Sequence, residues 1–552
     1  MRKSYKIFIF IFIILILHFL LSLVANSTPP PILGDVAFHT SVIEKTVETG
    51  YLQSTAPNLL GWFGYPRFAP FYIVYPPFQY TFWSVYYPII GQDVVFYSSL
   101  IVYLFSILLV FISFRRIFNL EIALLSTTFY SVSYFFLSSI NHNPTIILFS
   151  FSLLFVFSLT LFKKKDINNY ECFLIALFLA ILIMIKQPTY PLVAAAFILI
   201  FWFSYKNKDI KILRILIYFI ILSAPIVYYQ ISSTGTISPL SLYGEPVIDN
   251  IFQPKFLIID QWQKDIDVKV NLIELERNVS RGYYTVYQPI YQGFGPTINL
   301  INLFSNNFFP PDAKDLFINA GFLTFLSFLG ILIFLFNFKE LDYFKIFFFF
   351  LILFTFILVF INPKVEYFIY LPTISIFLIV LGIIGKLDKR VMLLLVFIVI
   401  VLLVLESCNF QTSNRTFFSK TIMRQGIPDG YNTLLDYTNW LKINTPKDSI
   451  IMDADTPDVP FYSNRTIFWD YRLFYLNETD LLFYLKNYYN ISYVVIRNPQ
   501  ITNTPNNFDS VPIDSAFLRV LNNEEYSKIV YDNNKVKIFQ IKLNTTPQNI
   551  TE

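Results

Sequence analysis

Charge is what this sequence has least of. Of its 552 residues only 14% are Asp, Glu, Lys or Arg, against about 25% in soluble domains, so most of the chain cannot face water. The formal net charge of +4 is too small to imply a nucleic-acid partner, and the Lys and Arg residues fall in short clusters between apolar runs. Cysteine is nearly as scarce. Cys172 lies inside an apolar segment and Cys408 at the far end of another, which excludes a disulfide framework and offers no metal or redox spacing. No internal repeat and no low-complexity linker divides the chain.

What is abundant is apolar: 55% of residues, with 19% aromatic. Runs long enough to cross a hydrocarbon layer of ~30 Å begin near residues 6, 94, 120, 144, 170, 189, 212, 316, 343, 365 and 390. This predicts a polytopic α-helical membrane protein of about eleven transmembrane helices. The first run, residues 6 to 25 after a basic MRKSYK, is long for a signal peptide and reads as a retained helix. With a cytoplasmic N-terminus, the cytoplasmic loops carry Arg115 and Arg116, Lys163 to Lys165, Lys206, Lys208 and Lys211, Lys339 and Lys345, and Lys386, Lys389 and Arg390. That distribution obeys the positive-inside rule.

The external side then receives residues 26–92, the NHNP and KQPTYP turns, a long loop at 232–315, the NPKVEY turn and everything after about 407. The N-x-S/T sequons at Asn26, Asn278, Asn414, Asn464, Asn477, Asn490, Asn544 and Asn549 all fall there, as glycosylation acceptors would, although an Asn-rich chain yields such triplets by chance. The expected organisation is a transmembrane domain over 1–406 with external loops 26–92 and 232–315, followed by a small extracytoplasmic α/β domain over 407–552. In the latter, helical patterns at Tyr431 to Ile443, Glu478 to Tyr489 and Ser515 to Asn522 alternate with strand-like SIIMD, SYVVIR and YSKIVYD, the last pairing with KVKIFQIK through an Asn-Asn turn.

In a chain so poor in charge, polar groups at the external helix ends mark candidate chemistry. Residues 34–50, GDVAFHTSVIEKTVETG, read as a short amphipathic helix at the membrane interface: Val36, Ile43 and Val47 make an apolar stripe, Asp35, His39 and Thr46 share the next face, and Gly50 stops the turn. Asp35 and His39, one turn apart, put a carboxylate beside an imidazole, as a general base or a metal site would need. Asp35 can equally serve as the N-cap and His39 as an interfacial residue. Downstream, Pro76 and Pro77 open an aromatic-rich second interfacial helix, and Arg67 is placed to pair with a phosphate or to reach lipid head groups. Asn141, His142 and Asn143 precede Pro144, Lys186 and Gln187 precede Pro188, and Lys364 and Glu366 follow Pro363. Lys186 and Lys364 break the positive-inside pattern, which an anionic ligand explains, as does a lysine reaching outer head groups.

Taken in order, GDVAFH, then ETGYL, YPPFQYTFWSVYYPIIG, KQPTYPLVAAAF, EYFIYLPTISIFLIVLGI and a C-terminal region containing SNRTIFWD and ISYVVIRN resemble the GT-C superfamily of membrane glycosyltransferases, of the protein-mannosyltransferase kind. The resemblance implies a lipid-linked sugar donor on dolichyl or polyprenyl phosphate, a glycan, lipid or protein acceptor, and a first-loop acidic residue at the catalytic centre, here Asp35. Many relatives carry two adjacent acidic residues, whereas Val36 follows Asp35 and the later turn reads Asn141-His142-Asn143, so a divalent metal, Mg or Mn, is the one cofactor the resemblance leaves open. The WDYR run at Trp469 to Arg472 lacks the first Trp and the Gly of the WWDYG signature of oligosaccharyltransferases, which favours transfer of a single sugar over en bloc transfer. The expectation is an inverting glycosyl transfer at the external face, with Asp35 as base, His39, Asn141, His142, Gln187 and Glu366 holding substrate, and Arg67, Lys186 or Lys364 on the phosphate. The alternative is a non-enzymatic transporter, flippase or scaffold of envelope glycan assembly. Transporters show repeated halves and buried midplane charges, and neither is evident.

Overall fold

Parallel strands in the C-terminal region and an antiparallel hairpin from the N-terminal region combine into one seven-stranded sheet. The computed structural model describes residues 35–53, 55–62, 65–72, 78–117, 167–185, 189–234, 429–454, 458–498, 501–502 and 511–542, with short pieces at 120, 123, 127, 241–242, 245–246, 265–266, 268–270, 349–350 and 353–354. The chain runs α1 (Asp35–Thr49), β1 (Thr55–Trp62), β2 (Tyr65–Tyr72), α2 (Phe78–Ile90), α3 (Val94–Ile117), α4 (Asn169–Ile185), α5 (Tyr190–Asn207) and α6 (Arg214–Thr234). It resumes with α7 (Asp429–Asn444), β3 (Ile450–Met452), α8 (Asp458–Ser463), β4 (Thr466–Phe468), α9 (Glu478–Phe483), β5 (Ile491–Arg497), α10 (Ala516–Asn522), β6 (Ser527–Asp532) and β7 (Val536–Ile541).

The sheet order is β6-β7-β5-β3-β4-β1-β2. The strands β5, β3, β4 and β1 are parallel, with Met452 opposite both Phe468 and Val494, and Leu60 opposite Phe468. Flanking hairpins close the two sides: β6–β7 is antiparallel, with Asn534 of its turn left-handed at φ 66°, a conformation Asn tolerates. The strand β2 lies at the opposite edge and carries Pro66 and Pro70, residues that an edge strand accommodates because they offer no ladder N–H. Asn58 of β1 donates to the Asn464 Oδ1 at 2.9 Å, and both residues adopt positive φ. The loop after the first expected span and the C-terminal region are therefore stitched together by backbone and side chain alike.

Local signals set the C-terminal elements. Ser515 and Asn477 cap α10 and α9, and Asp470 caps the 3₁₀ turn at Tyr471–Tyr475, each side chain accepting a backbone N–H that the helix leaves orphaned. The helix expected to run unbroken from Glu478 to Tyr489 instead passes into a π-turn at Tyr484–Tyr488. One apolar layer, with Leu434, Tyr437, Leu441, Ile451, Val495 and Ile538, packs under α7. The opposite layer holds Trp469, Phe474, Tyr484, Tyr489, Phe517 and Phe539.

The helices α3, α4, α5 and α6 start where apolar runs are expected, near 94, 170, 189 and 212. Among the described residues, no helix is long and apolar enough to cross a membrane. The expected runs beginning near 6, 144, 316, 365 and 390 lie outside the described residues, and those near 120 and 343 lie almost wholly so. The helix α6 packs along α4 and meets α5 through Phe197 and Phe219, 4.9 Å between rings. Its opposite face leaves Ile217, Ile220 and Ile221 about 60% exposed.

Candidate functional site

The helix α1 begins at Asp35 and ends where Gly50 takes φ 74° and donates to the Thr46 carbonyl at 2.9 Å. Its expected placement as an interfacial amphipathic helix is corrected by the structure. Ala37, Phe38, His39, Thr40, Val42, Ile43 and Thr46 are all buried, so the face carrying His39 is covered along with Ile43 of the apolar stripe, while Val36 and Val47 are half-buried. Only a strip containing Lys45 and Glu48, an ion pair at 3.0 Å, is exposed. The physical reason is α2, which packs over the side of α1 that the sequence leaves polar.

His39 is 1% exposed. Its Nδ1 lies 2.9 Å from the Tyr80 hydroxyl of α2, and its ring sits between Phe38, Tyr80 and Trp83 at 5.3, 5.6 and 5.4 Å. A ring gripped on several sides by aromatic surface cannot swing freely, so His39 holds the first turns of α1 in a fixed orientation against α2. Glu44 adds a second tie. It hydrogen-bonds the Tyr87 hydroxyl, which is pushed up to about 12 by burial first and by the carboxylates of Glu44 and Glu48 next.

The apolar cluster beneath this pair contains Phe38, Val42, Tyr80, Trp83, Val94 and Ile185. Ile185 is the last residue of α4, immediately before Lys186. Tyr229 of α6 donates to the Leu52 carbonyl just past α1 at 3.2 Å. The helices α1 and α2 and the end of α4 therefore share one apolar cluster, while α6 meets the chain just past the end of α1 opposite Asp35.

Of the residues expected in the site, His39 is fully described. Asp35 is the first residue of α1 and Arg67 lies in β2, but their side chains are outside the described residues, as are Asn141, His142, Lys186, Gln187, Lys364 and Glu366 altogether. Among the described residues no group of three or more His, Cys, Asp or Glu side chains could hold a metal. His39 itself is enclosed by rings and hydrogen-bonded at Nδ1. Sequence reasoning missed Tyr80 and Trp83; the recurrence of aromatics in FQYTFWSVYY at helical spacing is the signal that marks the face meeting α1.

In the C-terminal region the WDYR run is interior. Asp470 is wholly buried and Arg472 2% exposed, and the guanidinium grips both carboxyl oxygens at 2.9 and 2.7 Å. The Tyr489 hydroxyl donates to the same carboxyl at 2.7 Å and is held well above its ordinary value by burial and by Asp470. Asp453, just past β3, meets Arg497 at the end of β5 at 2.8 Å.

A model of the dolichyl-phosphate-mannose-protein mannosyltransferase family matches residues 76–229, from the proline before α2 into α6. No curated protein matches the chain. The Archaeoglobus fulgidus oligosaccharyltransferase solved with Zn and sulfate is similar in structure at TM-score 0.58 and 15% identity, over 88% of this chain and 68% of that one. ArnT from Cupriavidus metallidurans bound to undecaprenyl phosphate is similar at TM-score 0.55 and 12% identity, over 98% of this chain and 99% of that one. The chain has a GT-C fold. A GT-C arrangement accounts for a C-terminal region that follows the helices, and the resemblance drawn from the order of motifs is matched by the family model and the solved structures alike. Another structure of the archaeal GT-C protein AglB, similar at TM-score 0.55 and 12% identity, contains an inhibitory peptide and a dolichol-phosphate.

Proposed function

We propose that this protein is a membrane glycosyltransferase that moves a sugar from a dolichyl or polyprenyl phosphate to a glycan, lipid or protein acceptor at the external face of the membrane. The observation that carries the reading is the convergence on α1. A helix whose first residue is Asp35 is clamped through His39 to α2 and shares an apolar cluster with the end of α4, in a fold shared with proteins solved with polyprenyl and dolichyl phosphates. The exposed aliphatic face of α6 supports a lipid environment, since soluble proteins rarely display such a stripe.

In the proposed reaction the Asp35 carboxylate accepts the proton of the acceptor hydroxyl as that oxygen attacks the anomeric carbon, and the bond to the lipid phosphate breaks with inversion. General-base assistance of this kind contributes about 10²–10⁴ in rate. His39 acts by position: enclosed by rings, it fixes the turn that presents Asp35. Lys186, Lys364 and Arg67 are assigned to the departing phosphate, where cations stabilise developing charge most in a water-poor site, and Asn141, His142, Gln187 and Glu366 to the substrate hydroxyls. If a divalent ion takes part, it would supply phosphate neutralisation. The full reading has about eleven spans, with residues 1–406 in the membrane domain, 407–552 outside and the N-terminus cytoplasmic.

The test is Asp35→Asn in purified, detergent-solubilised full-length protein with labelled dolichyl-phosphate-mannose and dolichyl-phosphate-glucose. Release of free dolichyl phosphate should fall at least ~100-fold at an unchanged melting temperature. A fully active Asp35→Asn protein removes Asp35 from the mechanism, and a wild type that releases nothing from either donor favours transport or scaffolding.

A further inference from the structure

Among the described residues outside the C-terminal region, every buried side-chain polar atom left without a hydrogen-bond partner belongs to α2: both amide atoms of Gln79 and the hydroxyl of Ser84. Gln79 is 1% exposed. The neighbouring helix treats its polar residues differently, since Thr40, Ser41, Thr46 and Thr49 all return their hydroxyls to the carbonyl four residues back. Ser84 sits in a helix with the same option and does not take it. Native interiors pair nearly all such groups, so an orphan needs a reason.

Their position suggests one. At about 100° per residue, Gln79, Trp83 and Tyr80 share roughly 100° of the helix, and this arc is the one turned toward α1: Trp83 and Tyr80 both lie against His39. Gln79 stands one turn before Trp83 and next to Tyr80, which is hydrogen-bonded to the residue one turn after Asp35. The two helices run parallel, Tyr80 meeting His39 and Tyr87 meeting Glu44 and Glu48, so Ser84, five residues beyond Gln79, lies farther from Asp35. A primary amide offers two donors and an acceptor. A group that both gives and receives hydrogen bonds and carries no charge suits neighbouring hydroxyls of a sugar ring; it does not suit a phosphate, which wants donors only.

We propose that Gln79 forms a subsite for sugar hydroxyls beside the first turns of α1. The proposal rests on the glycosyl-transfer reading and assigns the side of the site that recognises the sugar. The sugar can be that of the donor or that of the acceptor, and kinetics separate them.

Gln79→Met keeps the length of the side chain and removes the buried amide. If the amide were only an internal flaw of packing, the change would raise the melting temperature and leave turnover alone. The subsite predicts an equal or higher melting temperature together with a KM raised at least ~10-fold and a smaller change in kcat, the pattern of lost substrate binding. A rise confined to dolichyl-phosphate-mannose or dolichyl-phosphate-glucose places the donor sugar there; a rise confined to the acceptor places the acceptor sugar there. Unchanged KM values for both substrates in Gln79→Met overturn the proposal. Should wild type release no dolichyl phosphate, the glycosyl-transfer reading has failed on its own account. Equilibrium binding of the same two lipids then decides: weaker binding by Gln79→Met supports the subsite, while equal binding, or none by wild type, overturns it.

Discussion

Replacing Arg472 by Met takes away the guanidinium and leaves the Asp470 carboxyl where it was. Asp470 then keeps two of its four donors, the Tyr489 hydroxyl at 2.7 Å and the Arg472 backbone N–H at 3.0 Å, and loses the Nε and Nη2 contacts at 2.9 and 2.7 Å. Breaking a fully buried ion pair by removing one partner typically costs ~3–5 kcal/mol. The two retained donors put this case at the lower end, about 3 kcal/mol. For a region of this size that corresponds to a drop of roughly 6–12 °C in the melting temperature. The double variant Asp470→Asn/Arg472→Met carries no orphaned charge and should lose only about 1–2 kcal/mol. Tryptophan emission of the full-length protein, after subtracting that of the Trp469→Phe protein, is the assay, because the Trp469 ring is 2% exposed and packs on Phe474 at 5.2 Å. A single variant that loses under about 1 kcal/mol, or a double variant as unstable as the single one, would refute the view that an uncompensated carboxylate sets the cost.

Tyr87 offers a test in pH. Its hydroxyl is pushed up to about 12 in the fold against about 10 in the unfolded chain. Its contribution is therefore whole below pH 10 and declines as pH rises from about 10 to about 12, where the unfolded chain releases its proton first. Tyr87→Phe should show a shallower fall of melting temperature across that window, and identical slopes would count against the Glu44 tie. Arg465 is 4% exposed and donates to the Lys442 and Thr445 carbonyls at the end of α7 at 2.5 and 2.7 Å. Arg465→Met should cost about 2–3 kcal/mol in a thermal melt, and Arg465→Lys should recover only part of it, because one ammonium cannot also replace the bonds from Nε to the Thr445 hydroxyl and from Nη1 to the Asn464 carbonyl.

The elements that the sequence makes legible are those whose causes are local. Asn477 and Ser515 are caps that can be read directly, the Asn533–Asn534 turn announces the β6–β7 hairpin, and Pro76–Pro77 announce α2. The β1–β2 hairpin is different. TAPNLLGW and YPRFAPFY hold three prolines and a glycine, so neither shows the alternation of a strand, and β1 finds its parallel partner about 400 residues away. The burial of His39 depends on a distant partner for a related reason: Tyr80, 41 residues later, supplies its hydrogen bond. Three of the sequon asparagines also have structural duties. Asn464 and Asn490 occupy left-handed turns and Asn477 caps α9, which is reason enough for Asn at each position.

The parallel pairing of Leu60 with Phe468 has a consequence for how the protein is made. At about 5–20 residues per second, a ribosome that has finished β1 needs on the order of 20–80 s to reach β4, and until then the hairpin has no sheet to join. The hairpin is thus translated early and joined late. A nascent or C-terminally truncated chain would keep the tie between His39 and Tyr80 and leave β1 without its parallel partner.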